Sequence, residues 1–111
     1  MVLVVDDEPA IRLLCRVNLE LAGYEVREAA TLADARRQLD GVSVVLLDMH
    51  VGAERGETLL AELQEHGIPV AVVTGSTDLE SAGARADAVL GKPFTIDDLE
   101  ATVARLAARD S

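Results

Sequence analysis

Side chains able to bind a metal ion or a phosphoryl group stand directly after four short apolar runs of this sequence. They are three consecutive acidic residues, a lone carboxylate, a hydroxyl and an ammonium group: Asp6, Asp7, Glu8, Asp48, Thr74 and Lys92. Such apolar runs are typical of strands buried on both faces of a parallel sheet. Ligands of open parallel sheets bind at the carboxyl ends of the strands, so these groups are expected to converge on one edge.

The acidic members of this set indicate a magnesium site. Clustered carboxylates repel one another, and a divalent cation relieves that repulsion. Oxygen ligands without a Cys or His pair suit a hard ion such as Mg²⁺, which takes one or two carboxylates and leaves room for a phosphoryl group. Lys92 would supply a positive charge to the phosphoryl oxygens and Thr74 a hydroxyl donor. Asp48, held by a buried strand, is then expected to be a nucleophile that forms an aspartyl phosphate.

The elements that must position these groups alternate along the chain. Strands are predicted at Val2–Val5, Glu25–Glu28, Val42–Leu47, Val70–Thr74 and Ala88–Gly91. Helices are predicted at Pro9–Ala22, from a Thr31 cap to about Leu39, from Gly56 to before Gly67, at Leu79–Ala84, and from a Thr95 cap nearly to the C-terminus. Five strand–helix units are too few for an eight-stranded barrel, so we expect an α/β fold with an open, doubly wound parallel sheet.

Length and composition narrow the classes of function. The 111 residues suit a single domain, which we expect to fill residues 1–111 without an output domain. The net charge of −10 argues against binding to nucleic acid or to an anionic membrane. Cys15 is the only cysteine, and the N-terminal apolar run is too short for a signal peptide or a membrane span. These features favour a cytoplasmic protein.

The motifs VLVVDDE, VVLLD, VVTG and LGKPF together resemble the receiver domain of two-component response regulators. The resemblance covers nearly the whole chain, with the motifs in the same order. It implies the flavodoxin-like strand order 2-1-3-4-5 that is known from chemotaxis regulators of this family. It also implies that Asp48 accepts a phosphoryl group from a phosphohistidine on a sensor histidine kinase or a histidine phosphotransfer protein.

The resemblance further implies a role for each residue at the strand ends. Asp7 and Asp48 would bind Mg²⁺ directly, together with the backbone carbonyl of His50, whereas Asp6 would act through a bound water. Receivers catalyse their own phosphorylation and slow dephosphorylation, and we expect no other enzymatic activity.

The remaining two polar groups would carry the signal. Thr74 and Lys92 would hold the phosphoryl group, and their movement would report phosphorylation to the surface of the fourth helix, fifth strand and fifth helix. An unidentified downstream protein would bind there.

Two positions depart from the family pattern. Gly52 stands where receivers usually carry a proline, and Val89 stands where they often carry Tyr or Phe. The segment between Thr74 and Lys92 is also short for a receiver. These departures motivate an alternative function, a degenerate receiver that binds proteins independently of phosphorylation.

The polar residues at the strand ends help to decide between the possible functions. The full set argues against the degenerate scaffold, because buried unpaired charges are costly to keep. A third function, a small Mg²⁺-dependent phosphohydrolase working through Asp48, needs an acid two residues further on to protonate the leaving group. That place holds His50. We therefore favour a stand-alone phosphorelay receiver.

Overall fold

A parallel sheet of five strands forms the centre of the computed structural model, which describes residues 1–51, 54–75 and 86–109. These strands are β1 (Val2–Val5), β2 (Val26–Ala29), β3 (Val44–Asp48), β6 (Val70–Thr74) and β7 (Ala88–Gly91). Their lateral order is β2-β1-β3-β6-β7, and each neighbouring pair is parallel. Counted within this sheet, the order is 2-1-3-4-5, which confirms the predicted flavodoxin-like fold.

Four described helices connect or follow these strands: α1 (Pro9–Leu21), α2 (Leu32–Arg37), α3 (Glu57–Glu65) and α4 (Ile96–Arg109). The two predicted threonine caps are confirmed. Thr31 accepts a hydrogen bond from the backbone N–H of Asp34 at 3.0 Å, and Thr95 accepts one from the N–H of Asp98 at 3.0 Å. Each bond satisfies a donor that the first helical turn leaves without an intrahelical partner. No helix in the described ranges is long and apolar enough to cross a membrane.

Helices cover both faces of the sheet. Successive side chains of a strand point to opposite faces of the sheet, so β1 contributes side chains to two apolar clusters. One cluster joins Leu3 and Val5 to α2 and α3 through Leu32, Leu59, Leu60 and Leu63. The other joins Val2 and Val4 to α1 and α4 through Leu19, Leu99, Val103 and Leu106. This two-sided burial explains why the central strands β1, β3 and β6 are apolar along their length up to the polar residues that end β3 and β6, whereas the edge strand β2 carries Arg27 and Glu28.

The observed bounds of β3 differ from the prediction in a way that matters for the site. The strand begins at Val44 rather than Val42 and extends to Asp48, whose α-carbon pairs with that of Val73 in β6. Asp48 is therefore held by the strand ladder instead of lying in a loop.

Two further differences are local. Strand β2 is displaced by one residue from the predicted Glu25–Glu28 and ends at Ala29, whose carbonyl accepts a hydrogen bond from the N–H of Asp6. An antiparallel pair of two-residue strands, β4 (His50–Val51) and β5 (Glu54–Arg55), was not predicted. Gly52 and the predicted helix at Leu79–Ala84 lie outside the described residues.

Cys15 is a packed thiol on the inner side of α1, as expected for a cysteine on a buried helix face. Only 2% of its surface is exposed. Burial, and to a smaller extent the negative charge of Asp6, raise the pKa of Cys15 to about 11, while the positive charge of Lys92 opposes the shift. The thiol is therefore protonated at neutral pH, which makes it a poor nucleophile.

Candidate phosphoacceptor and metal site

Three carboxylates meet at the carboxyl edge of the sheet. Strands β1 and β3 are neighbours in register, with Val5 beside Leu47, so the residues that follow lie side by side. One carboxylate oxygen from each of Asp6, Asp7 and Asp48 lies within 4.8 Å of the others. Asp6 and Asp48 are buried, whereas Asp7 is exposed. The structure thus brings together three of the four acidic residues that the sequence placed at two strand ends, whereas Glu8 stands at the N-cap position of α1.

Lys92 lies against the two buried carboxylates. Its Nζ is 3.4 Å from Oδ2 of Asp6 and 3.6 Å from Oδ2 of Asp48. The backbone N–H of Lys92 donates to the carbonyl of Thr74 at 2.8 Å, which ties it to the end of β6. Partial burial alone would lower the pKa of Lys92, but the charges of Asp6 and Asp48 and the hydrogen bond to Asp6 outweigh it and raise that pKa. Lys92 is therefore a cation at neutral pH.

The side chain of Asp6 has two partners. Its Oδ1 accepts the N–H of Glu8 at 2.9 Å, and its Oδ2 faces Lys92. Glu8 is the N-cap residue of α1, and its own side chain makes no capping hydrogen bond. Asp6 therefore supports the start of α1 and belongs to the acidic cluster at the same time.

Thr74 and His50 lie at the same edge. Thr74 ends β6 and is buried, with 2% of its surface exposed, and its hydroxyl donates to the carbonyl of Gly75 at 3.4 Å. That distance is long for an O–H donor, so the bond is weak and the hydroxyl can turn to a better acceptor. The backbone of His50 follows Asp48 by two residues in β4 and pairs with Arg55. The side chain of His50 lies outside the part that the structure describes.

The donor set fits a hard divalent cation. It consists of carboxylate oxygens from three acidic residues, and Lys92 contributes a single compensating positive charge to them. The cluster retains an excess of negative charge, which Mg²⁺ with oxygen ligands would neutralise. Asp7 is the exposed member, so an ion could reach the cluster from solvent while keeping bound waters.

Gly56 packs closely against the backbone of Asp48, a role that the sequence did not predict. Its backbone angles, φ −73° and ψ −8°, are open to any residue, so conformation does not require glycine here. Space does. A Cβ at this position would lie 2.9 Å from the backbone oxygen of Asp48 and 3.3 Å from both Cγ of Leu47 and Cα of Met49. A glycine just before a helix was the available signal, but it does not show which segment approaches it.

Replacing Gly56 with alanine is expected to destabilise the protein by about 1–3 kcal/mol, because the added methyl group must push the strand that carries Asp48. The midpoint of urea unfolding measures this effect. Gly75→Ala is the matched control, since a Cβ there meets nothing within 4 Å. We expect the control to stay within about 0.5 kcal/mol of the wild type. Equal unfolding midpoints for the two variants would contradict the close packing of Gly56.

Comparison with known proteins identifies the family. Residues 2–104 match the family model described as the response regulator receiver domain. The chain belongs to this family. The receiver is 36% identical over 115 residues to the transcriptional regulatory protein KdpE of Mycobacterium tuberculosis, covering 97% of this chain and 50% of KdpE. It is 39% identical over 117 residues to the C4-dicarboxylate transport transcriptional regulatory protein DctD of Pseudomonas aeruginosa, covering 94% of this chain and 24% of DctD.

A solved structure shows the same fold over the same length. The receiver domain of NtrX from Brucella abortus superimposes with a TM-score of 0.91 at 29% identity, covering 97% of this chain and 98% of that one. This receiver spans about half the length of KdpE and about a quarter of the length of DctD.

Proposed function

We propose that this receiver accepts a phosphoryl group on Asp48 from a phosphohistidine donor and thereby changes its binding to a downstream protein. One observation carries the proposal: the buried carboxylate of Asp48 lies 3.6 Å from Lys92 Nζ and shares a cluster with Asp6 and Asp7. This arrangement combines a positioned nucleophile, a cation for phosphoryl oxygens and a set of oxygen ligands for Mg²⁺. The donor would be a sensor histidine kinase or a histidine phosphotransfer protein.

In the proposed transfer, a carboxylate oxygen of Asp48 forms a bond to phosphorus while the phosphorus–nitrogen bond of the donor breaks. The electron pair of that bond stays on the imidazole nitrogen, and the product on Asp48 is an acyl phosphate. Lys92 is placed to attract the phosphoryl oxygens, and Thr74 has a hydroxyl that can donate to one of them. Asp7 and Asp48, with the backbone carbonyl of His50, would hold Mg²⁺ directly, and Asp6 would do so through water. The bound ion would offset negative charge on the transferring group.

The proposal also concerns the downstream partner, the location of the protein and its turnover. The net charge of −10 favours a protein rather than DNA as the direct downstream partner. Stand-alone action, a cytoplasmic location and the absence of turnover beyond self-phosphorylation and slow hydrolysis remain predictions.

The test is the intact mass of the protein after incubation with a small phosphodonor such as acetyl phosphate. We expect a gain of one phosphoryl group in the presence of Mg²⁺ and none when a chelator removes it. A small donor avoids the need for the cognate kinase. A gain that is equal with and without the chelator would contradict the role of Mg²⁺.

A second candidate, the phosphorylation-independent scaffold, is favoured by Val89. This residue occupies the place of the family's aromatic switch residue, and it packs half-buried against the core. A valine side chain there cannot make the swing of an aromatic ring. No mass gain with either acetyl phosphate or a phosphohistidine donor, in folded protein that binds Mg²⁺, would favour the scaffold.

A further inference from the structure

Arg12 connects the loop that carries the acidic pair to helix α1 and to strand β2. Its Nη1 donates a hydrogen bond of 2.7 Å to the backbone carbonyl of Asp6, and its Nε lies 3.2 Å from Oε1 of Glu28 in β2. Only 17% of the Arg12 side chain is exposed. The guanidinium therefore reaches back from α1 to the residue at which the chain leaves β1.

The carbonyl that Arg12 binds belongs to the peptide unit joining Asp6 to Asp7. A peptide unit is planar, so fixing the direction of its C=O fixes the whole unit and limits rotation at both flanking α-carbons. Those two α-carbons carry two of the three clustered carboxylates. The orientation of this one plane thus sets where the side chains of Asp6 and Asp7 are directed.

The contact is strong for a bond to a backbone group. Hydrogen bonds from a guanidinium are charge-assisted and are roughly twice as strong as neutral ones. Glu28 holds the other side of the guanidinium, and its Oε2 also accepts from Nη1 of Arg16 at 2.9 Å. Arg16 shares Glu28 with Arg12, but its bonds run to Glu28 and Glu20. The two arginines of α1 therefore differ in the contact to Asp6.

We propose that Arg12 is a positioning residue for the metal and phosphoryl site and acts through the peptide unit between Asp6 and Asp7. This inference rests on the proposed function, because it takes Asp7 as a ligand of Mg²⁺.

Electrostatics and positioning make opposite predictions for the loss of Arg12. The guanidinium is a positive charge near the acidic cluster, so Coulomb repulsion alone would make Mg²⁺ bind more tightly once it is removed. Loss of the bond to the Asp6 carbonyl instead frees the loop and should weaken Mg²⁺ binding. The direction of the change in affinity therefore separates the two effects.

Titration calorimetry with Mg²⁺ tests the proposal on three variants. Arg12→Ala is expected to weaken binding about tenfold, a typical loss when a group that orients metal ligands is removed. Arg12→Lys retains the charge, but its single side-chain nitrogen cannot replace both the bond to the Asp6 carbonyl and the bond to Glu28. We therefore expect this variant to weaken binding as well. Arg16→Ala is the matched control, which removes a guanidinium from Glu28 and spares the Asp6 carbonyl. We expect its affinity to stay within about twofold of the wild type, because exposed ion pairs contribute little.

A second readout excludes a purely structural role. If Arg12 only stabilised the fold, Arg12→Ala would lower the melting temperature equally with and without Mg²⁺. In a positioning role, the rise in melting temperature that Mg²⁺ produces is smaller in Arg12→Ala than in Arg16→Ala, because stabilisation by a ligand follows its affinity. Arg12→Lys keeps the comparison possible at a temperature at which Arg12→Ala is unfolded.

The outcomes separate this inference from the proposed function. Mg²⁺ binding in the wild type, with equal or tighter binding in Arg12→Ala and Arg12→Lys, would overturn the role of Arg12 and leave the metal site intact. Equal weakening in the Arg12 variants and Arg16→Ala would also overturn it. Absence of Mg²⁺ binding in the wild type would overturn the metal site, and the role of Arg12 with it.

Discussion

Replacing Asp48 with asparagine is expected to abolish the gain of a phosphoryl group from acetyl phosphate. Asparagine has the same shape, so it should fit at the end of β3, but its amide lacks the negatively charged oxygen that would attack phosphorus. Asp48 is the member of the cluster that is both buried and held in the strand ladder beside Val73. Intact mass and peptide mapping after a fixed incubation measure the effect.

Asp40→Asn is the matched control for this experiment. Asp40 is exposed and lies on the loop that leads into β3, at the opposite end of that strand from Asp48. The control makes the same chemical change and should gain one phosphoryl group at the wild-type rate. A full gain in Asp48→Asn would move the acceptor to another residue, and peptide mapping would identify that residue.

The strands and helices could be predicted because local patterns determine them. Apolar runs identify strands that are buried on both faces, and the Thr31 and Thr95 caps identify helix starts, since each hydroxyl satisfies a nearby N–H. The short pair of β4 and β5 could not be predicted in this way. Two-residue strands have no periodicity of their own, so they depend on the surrounding tertiary structure.

The reactive residues of the candidate site could also be predicted from the sequence. Residue type and position at a strand end suffice for Asp6, Asp48 and Lys92, because parallel strands bring their carboxyl ends to the same edge. The supporting groups could not be found from sequence. Gly56 matters through a close approach to the backbone of Asp48, and Arg12 through a bond to the carbonyl of Asp6. Both contacts involve backbone atoms, which have no residue type to recognise.

Replacing Lys92 with glutamine is expected to change metal binding and phosphorylation in opposite directions. Lys92 is the only lysine in the sequence, and it lies 3.4 and 3.6 Å from two carboxylates of the metal cluster. Its raised pKa keeps it charged at neutral pH, so its removal lowers the repulsion that Mg²⁺ meets. The variant should therefore bind Mg²⁺ more tightly in calorimetry, and Mg²⁺ should raise its melting temperature more than that of the wild type.

Phosphorylation of Lys92→Gln should nevertheless be slower by about a hundredfold at saturating Mg²⁺, since a preorganised cation is lost where the phosphoryl oxygens gather charge. Intact mass against time with acetyl phosphate gives the rate. Arg37→Gln is the control, because it removes the same charge from an exposed position on α2 and should leave both measurements unchanged. Weaker Mg²⁺ binding together with slower phosphorylation would indicate a general disruption of the edge. Tighter binding with slower transfer is the outcome expected of a cation that repels the metal and attracts the transferring group.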